Sequence, residues 1–175
     1  MSLLKGVGAF FRKNCRRLWF SVFVNAVFLI LLVLILRPYY ETNDDISLQS
    51  FFNGARHVQD GYTRISNYIF GWAMSVLYRI TAQLPWYTLY LYAIVFVSLT
   101  SVTYFILSEF QDHALGALLT AIVLLSFGYH GYIAVNFTKI AGIGAAAGAF
   151  LIVRGMEEKK GRRWRVLIGT ALFFA

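Results

Sequence analysis

The feature that most restricts this chain is a series of long apolar runs. Leu18 to Leu36 is 19 residues of near-continuous hydrocarbon, broken only by Ser21 and Asn25. A helix of about 20 such residues crosses the ~30 Å hydrocarbon core of a bilayer. Tyr87 to Leu107, after the break at Pro85-Trp86, repeats the pattern, as do Ala114 to about Ile133 and about Val135 to Val153. Composition points the same way. Of 175 residues, 59% are hydrophobic and 14% charged, against about 25% charged in a soluble domain. Disorder, a nucleic-acid-binding domain of ordinary composition and a disulfide-rich secreted scaffold are excluded; the single cysteine, Cys15, has no internal partner. The expected fold is all-α, a polytopic transmembrane helical bundle embedded in a lipid bilayer, and no nucleic-acid partner is expected.

Charge sets the expected topology. The net charge of +8 is concentrated in two blocks: residues 1–17 carry +5, residues 154–165 carry +4, and the remainder sums to −1. Basic blocks beside apolar runs mark the cytoplasmic side. The first run is too long for a signal-peptide core and is followed by Arg37-Pro38 rather than a small-residue cleavage site, so it reads as a retained anchor. The expected organisation is a cytoplasmic basic tail (1–17), a first span (18–36), an external loop with interfacial helices (37–85), three further spans (86–153), a cytoplasmic basic loop (154–165) and the start of another span (166–175). That last run stops after ten residues, too few to cross a membrane. It suggests the N-terminal part of a longer protein in the plasma (inner) membrane, with a cytoplasmic N-terminus.

Segment 65–83 is long enough to span, yet Asn67, Gly71, Ser75, Arg79 and Gln83 put a polar residue at every fourth position. Such a stripe suits a helix lying in the interface. Arithmetic favours that reading. Four spans return the second basic block to the side of the first, whereas five would leave the two on opposite sides. The loop bearing Asp44 and Asp45, the turn from His130 to Lys139 and the interfacial helix would then share the external face.

Few residues there carry chemistry. Asp44 and Asp45 are adjacent carboxylates next to a low-dielectric surface. Such a pair can supply a general base or hold a divalent metal, Mg or Mn, the one cofactor the sequence suggests. The plainer reading makes Asp45 the N-cap of an apolar-periodic helix over Ile46 to Val58. Arg56, His57, Arg64 and Lys139 are candidates to bind an anionic phosphate, or else scattered loop charges with Lys139 as an interfacial anchor. His130, between Gly128 and Gly131, reads as a hydrogen-bonded packing residue. Gly144 and Gly148 form a G-x-x-x-G face for a helix–helix partner. Tyr39, Tyr40, Trp72, Trp86, Tyr87 and Tyr90 read as interfacial aromatics. No metal-ligand spacing, phosphate-binding loop or nucleophile elbow occurs.

Asn43-Asp44-Asp45-Ile46, Asn67-Tyr68-Ile69-Phe70-Gly71, Leu77-Tyr78-Arg79 and Leu84-Pro85-Trp86-Tyr87 follow one another in a recognisable order. A basic tail, one anchor span, an external loop with paired acids, interfacial helices and a train of spans resembles the GT-C superfamily of membrane glycosyltransferases, of bacterial type, over residues 1–165. The resemblance implies a sugar donor on a polyprenyl phosphate presented from the bilayer. It implies that Asp44 or Asp45 activates an acceptor hydroxyl or holds a metal. It also implies that a basic residue, Arg64 or Lys139, holds the carrier phosphate. The alternatives from other classes are a transporter or flippase for a lipid-linked anion and a structural subunit docking through its glycine face.

Overall fold

The computed structural model describes residues 2–55, 68–157 and 162–173. The chain is an all-α bundle. Helix α1 (Ser2–Ile35) is followed by a two-residue strand β1 (Tyr39–Tyr40), α2 (Asn43–Phe52), α3 (Tyr68–Ile80) and α4 (Trp86–Glu109). Then come α5 (His113–Val123), a π-helical turn (Leu124–Gly128), α6 (Tyr129–Ile133), β2 (Ala134–Val135), α7 (Phe137–Glu157) and α8 (Arg162–Phe173). Among the described residues, four helical stretches are long and apolar enough to cross a membrane: Cys15–Ile35, Trp86–Glu109, His113–Ile133 and Phe137–Met156. Their outward surfaces are hydrocarbon, with Phe23, Leu34, Ile122, Leu125 and Val153 exposed. That arrangement is stable only where lipid replaces water, so the protein is membrane-embedded.

The described part of helix α3 has 13 residues, about 20 Å at 1.5 Å per residue, less than the length of a span. It buries Gly71, Met74, Ser75 and Tyr78 and leaves Ile69, Trp72 and Ile80 exposed. Its polar stripe therefore does not simply face out: Ser75 and Gly71 lie against the bundle while Arg79 stays exposed.

Contacts fix which helix ends lie together. At one end Arg17 donates from Nη1 to the Ser108 carbonyl at 3.3 Å, and Arg154 pairs with Glu109. Both basic blocks thus adjoin the same end of the bundle. Asp112 starts α5 there, accepting from the backbone N–H groups of Ala114 and Leu115 at 2.8 and 3.3 Å, a standard helix cap. At the opposite end β1 and β2 pair in parallel, Tyr39 with Ala134 and Tyr40 with Val135. Glu41 N–H extends the ladder to the Val135 carbonyl at 2.9 Å.

The core lies between these ends. Tyr87, Leu91, Val95 and Leu99 run down α4 at helical spacing and pack with Tyr132, Val135 and Ile140 and with Leu48 and Phe52 of α2. The polar residues of the first apolar run have a place in this packing. Ser21 and Asn25 are fully buried. Asn25 Nδ2 donates to the Ser21 carbonyl at 2.8 Å and to Thr103 Oγ1 on α4 at 3.2 Å. Polar side chains that bond across helices in this way join them within lipid.

The glycine face finds its partner inside the chain. A Cβ on Gly148 would lie 2.5 Å from the Gly169 carbonyl oxygen and 2.7 Å from Phe173 N, both on α8. One on Gly144 would meet Leu172 O at 3.1 Å. Backbones this close need glycine, and α7 and α8 pack on that account.

Candidate functional site at the carboxylate end

The end of the bundle opposite the basic blocks is organised around Asp45. Helix α2 begins at Asn43 with Thr42 as its N-cap residue, so Asp45 is the third helical residue and not the cap expected before Ile46. Its side chain turns inward and is fully buried. Tyr87 on α4 donates its hydroxyl to Asp45 Oδ1 at 2.7 Å. The backbone N–H of Phe137, first residue of α7, donates to the same oxygen at 3.1 Å. Thr42 donates its hydroxyl to Oδ2 at 2.7 Å. Asp45 does cap a helix, but one that begins 92 residues further on.

The start of α7 can be accounted for group by group. A helix leaves its first backbone N–H groups without intrahelical partners. Here Phe137 N–H goes to Asp45, while Thr138 and Lys139 N–H go to Asn136 Oδ1 at 2.9 and 3.3 Å. The ladder begins with Ile140 N–H to the Asn136 carbonyl at 3.0 Å. A carboxylate also opposes the positive end of the helix dipole. This helix start is saturated by the protein itself, and Asn136 of the Asn-x-Thr sequence is occupied as a cap.

Aromatic rings enclose the carboxylate. Tyr87 lies 6.3 Å from Tyr40 and 5.7 Å from Phe52, ring centre to ring centre. Phe52 meets Phe70 of α3 edge-on at 5.8 Å, and Phe70 lies 4.7 Å from Tyr90. Tyr40 bonds Thr88 through its hydroxyl. Burial there, partly offset by that hydrogen bond, pushes the Tyr40 phenol up to about 12. Tyr78 accepts the backbone N–H of Tyr87 at 3.2 Å, and Trp86 Nε1 reaches the Thr81 carbonyl at 3.0 Å. The aromatics read from sequence as interfacial are thus partly a packed cradle joining α2, α3 and α4.

Asp44 points the other way and is exposed. The two acids do not share a site. One is consumed by three protein donors, and the other stands on the surface one residue away. Among the described residues no group of three or more His, Cys, Asp or Glu side chains is placed to hold a metal. Lys139 Nζ pairs with Glu41 Oε2 at 2.5 Å, so its charge is already met by a neighbour on the chain. His130 is exposed on the side of the bundle rather than packed in the core. Arg56, His57 and Arg64 lie outside the described residues.

Sequence reasoning missed Thr42, Tyr87 and Asn136 as parts of this assembly. The spacing Thr42-x-x-Asp45 was a usable signal, since a hydroxyl at a helix start often answers an acid three residues on. Nothing local marks Tyr87 or Phe137 as partners of Asp45. No protein-family model matches the chain, and no curated protein or solved structure matches it either.

Proposed function

We propose that this membrane protein transfers a sugar from a polyprenyl-phosphate donor to an acceptor hydroxyl at the carboxylate end of its bundle, with Asp44 as the general base. One observation carries this reading. Asp44 is an exposed carboxylate set one residue from Asp45, whose side chain is tied to α4, to α7 and to Thr42. A base must be presented to solvent and held still, and a surface acid on a helix pinned at three points meets both needs. Asp45 is the positioning residue. Metal binding by the pair has less support, because both Asp45 oxygens accept protein hydrogens.

The same reading puts the protein in the plasma (inner) membrane with its N-terminus in the cytoplasm. The two basic blocks adjoin one end of the bundle, as cytoplasmic segments do, and the carboxylate end then faces outward. Lys139, and Arg64 from outside the described residues, are the candidates for the carrier phosphate; Lys139 would have to exchange Glu41 for it.

The test uses membranes containing the protein and a radiolabelled polyprenyl-phosphate sugar. Asp44→Asn should abolish transfer while leaving the melting temperature unchanged. Full activity in Asp44→Asn sinks the proposal. Movement of the labelled lipid between leaflets without transfer, unaffected by Asp44→Asn, would replace it with transport.

A further inference from the structure

Away from the carboxylate cradle, a cleft of about 570 Å³ opens on the side of the bundle between α4, the π-helical turn and α7. Its floor is Ser98 and Leu99 of α4, and its rim includes Phe127 and Phe150. These two rings are 55% and 37% exposed on the hydrocarbon-facing surface. The walls are otherwise aliphatic or small, as at Val102, Val123, Gly142 and Ala146. His130 and Lys139 line it at the carboxylate end.

Two features decide what fits. The first is depth. From Lys139 to Phe150 along α7 is 11 residues, about 16 Å. That is close to half of the ~30 Å hydrocarbon core, one leaflet. The other walls also stop short of the basic end: Val102 lies seven residues before the end of α4, and Val123 closes α5, midway along the His113–Ile133 stretch. A transmembrane helix docking from outside would run the full height of the bundle, whereas this cleft ends about seven residues short of the basic ends of α4 and α7. The second is the order of polarity. Titratable groups sit only at the outer end, and below them the lining is apolar apart from the hydroxyls of Ser98 and Ser126, the order along a phospholipid from headgroup to chain. The π turn contributes by widening one helix where the wall recedes, as such turns do at binding sites. A dry void here would forfeit dispersion contacts along its whole lining.

We propose that this cleft is a specific site for one acyl chain of a phospholipid from the leaflet at the carboxylate end, its polar part level with His130 and Lys139. A longer isoprenoid chain would overrun the inner end of the lining at Val102 and Phe150. The site shares Lys139 with the transferase reading but does not rest on it, and needs no catalysis to be observed.

The test uses the full chain in nanodiscs of phosphatidylglycerol carrying a photoactivatable diazirine on its acyl chain. After irradiation, labelled residues are mapped by peptide mass spectrometry. Label should concentrate on 123–130 and 139–150, well above that at Leu31 and Leu34, which face the same leaflet and are exposed. Gly142→Leu should reduce cleft labelling severalfold and leave Leu31 and Leu34 unchanged, because a Cβ on Gly142 meets nothing within 4 Å and the larger side chain plugs the space without displacing the fold. Ala146→Phe, also exposed on the lining, is a second plug should the first fail to fold. Cleft labelling no denser than at Leu34, or unchanged by both plugs, overturns the site. Efficient dimer cross-linking through Ala146→Cys in a Cys15→Ser background makes it a helix interface instead. Displacement of the label by added polyprenyl phosphate, but not by unlabelled phosphatidylglycerol, assigns it to an isoprenoid chain and also overturns the proposal.

Discussion

Removing the Asp45 side chain should be among the most destabilising changes this chain can suffer, and the reason lies in its partners. Asp45→Ala leaves the Tyr87 hydroxyl and the Phe137 N–H without their acceptor in a buried place, and frees Thr42. Each hydrogen bond to a charged group contributes about 1.5–3 kcal/mol, and an orphaned buried donor costs about 1–3 kcal/mol. The three bonds share one side chain and are not additive, and water reaches part of the emptied space. The expected loss is therefore about 3–5 kcal/mol, at the low end of what three such bonds would sum to. Asp45→Asn is the discriminating variant. Its oxygen can still accept from Tyr87 and Phe137, and the Thr42 hydroxyl can turn to accept from the new NH₂, so the loss should be only about 1–2 kcal/mol. Unfolding in mixed micelles titrated with dodecyl sulfate gives both values. A double cycle with Tyr87→Phe should show coupling of at least about 1 kcal/mol. An Asp45→Ala loss below about 1 kcal/mol, or additivity in the cycle, would refute the account of Asp45 as the tie between α2, α4 and α7.

Two further outcomes follow from the packing and the buried phenol. Gly148→Ala drives a methyl into the Gly169 carbonyl and Phe173 N, and backbone cannot rotate aside as a side chain can. A cost of about 1–3 kcal/mol should appear as faster hydrogen exchange in α8, while Gly142→Ala, with open space, should leave exchange unchanged or slower. For Tyr40, burial raises the phenol from its ordinary 10.0 to about 12. The unfolded chain then loses that proton at lower pH than the folded one, so stability is intact below pH 10 and declines from about 10 to 12. Melting temperatures across that window should fall less steeply for Tyr40→Phe, and parallel curves would count against the assignment.

What could be read from the sequence here was what is local. Apolar length marks a span without reference to any other residue, so the four long helices were visible in Leu18–Leu36, Tyr87–Leu107 and their successors. The weaker stripe of Asn67, Gly71 and Ser75, joined to the parity of the two basic blocks, supports the interfacial reading of 65–83 only as an expectation. Ser21 and Asn25 stood out as interruptions, but their partner Thr103 lies 78 residues from Asn25 and carries no mark of its own. The parallel pair of Tyr39-Tyr40 with Ala134-Val135 is two residues long, below any periodic signal. The glycine spacing at 144 and 148 announced a close partner and could not say that the partner was α8 of the same chain. The π turn had no herald at all: Leu124 to Gly128 sits inside a run that reads as ordinary helix.

The acidic pair shows where such reading must stop. From sequence, Asp44 and Asp45 were interchangeable: either could cap, bind a metal or act as a base. Their chemistry differs only through what surrounds them, and that depends on residues 42 and 92 positions from Asp45. Once Tyr87, Phe137 and Thr42 are in place, both Asp45 oxygens are engaged and the side chain is buried, so it is held where it is. Asp44 inherits the reverse condition. Its carboxylate is unburied and its backbone is fixed through its neighbour, which is what the proposed general base requires. Exchanging the two roles would require breaking the start of α7. For that reason Asp45→Asn and Asp44→Asn should separate cleanly, the first appearing in stability and the second in the proposed transfer reaction.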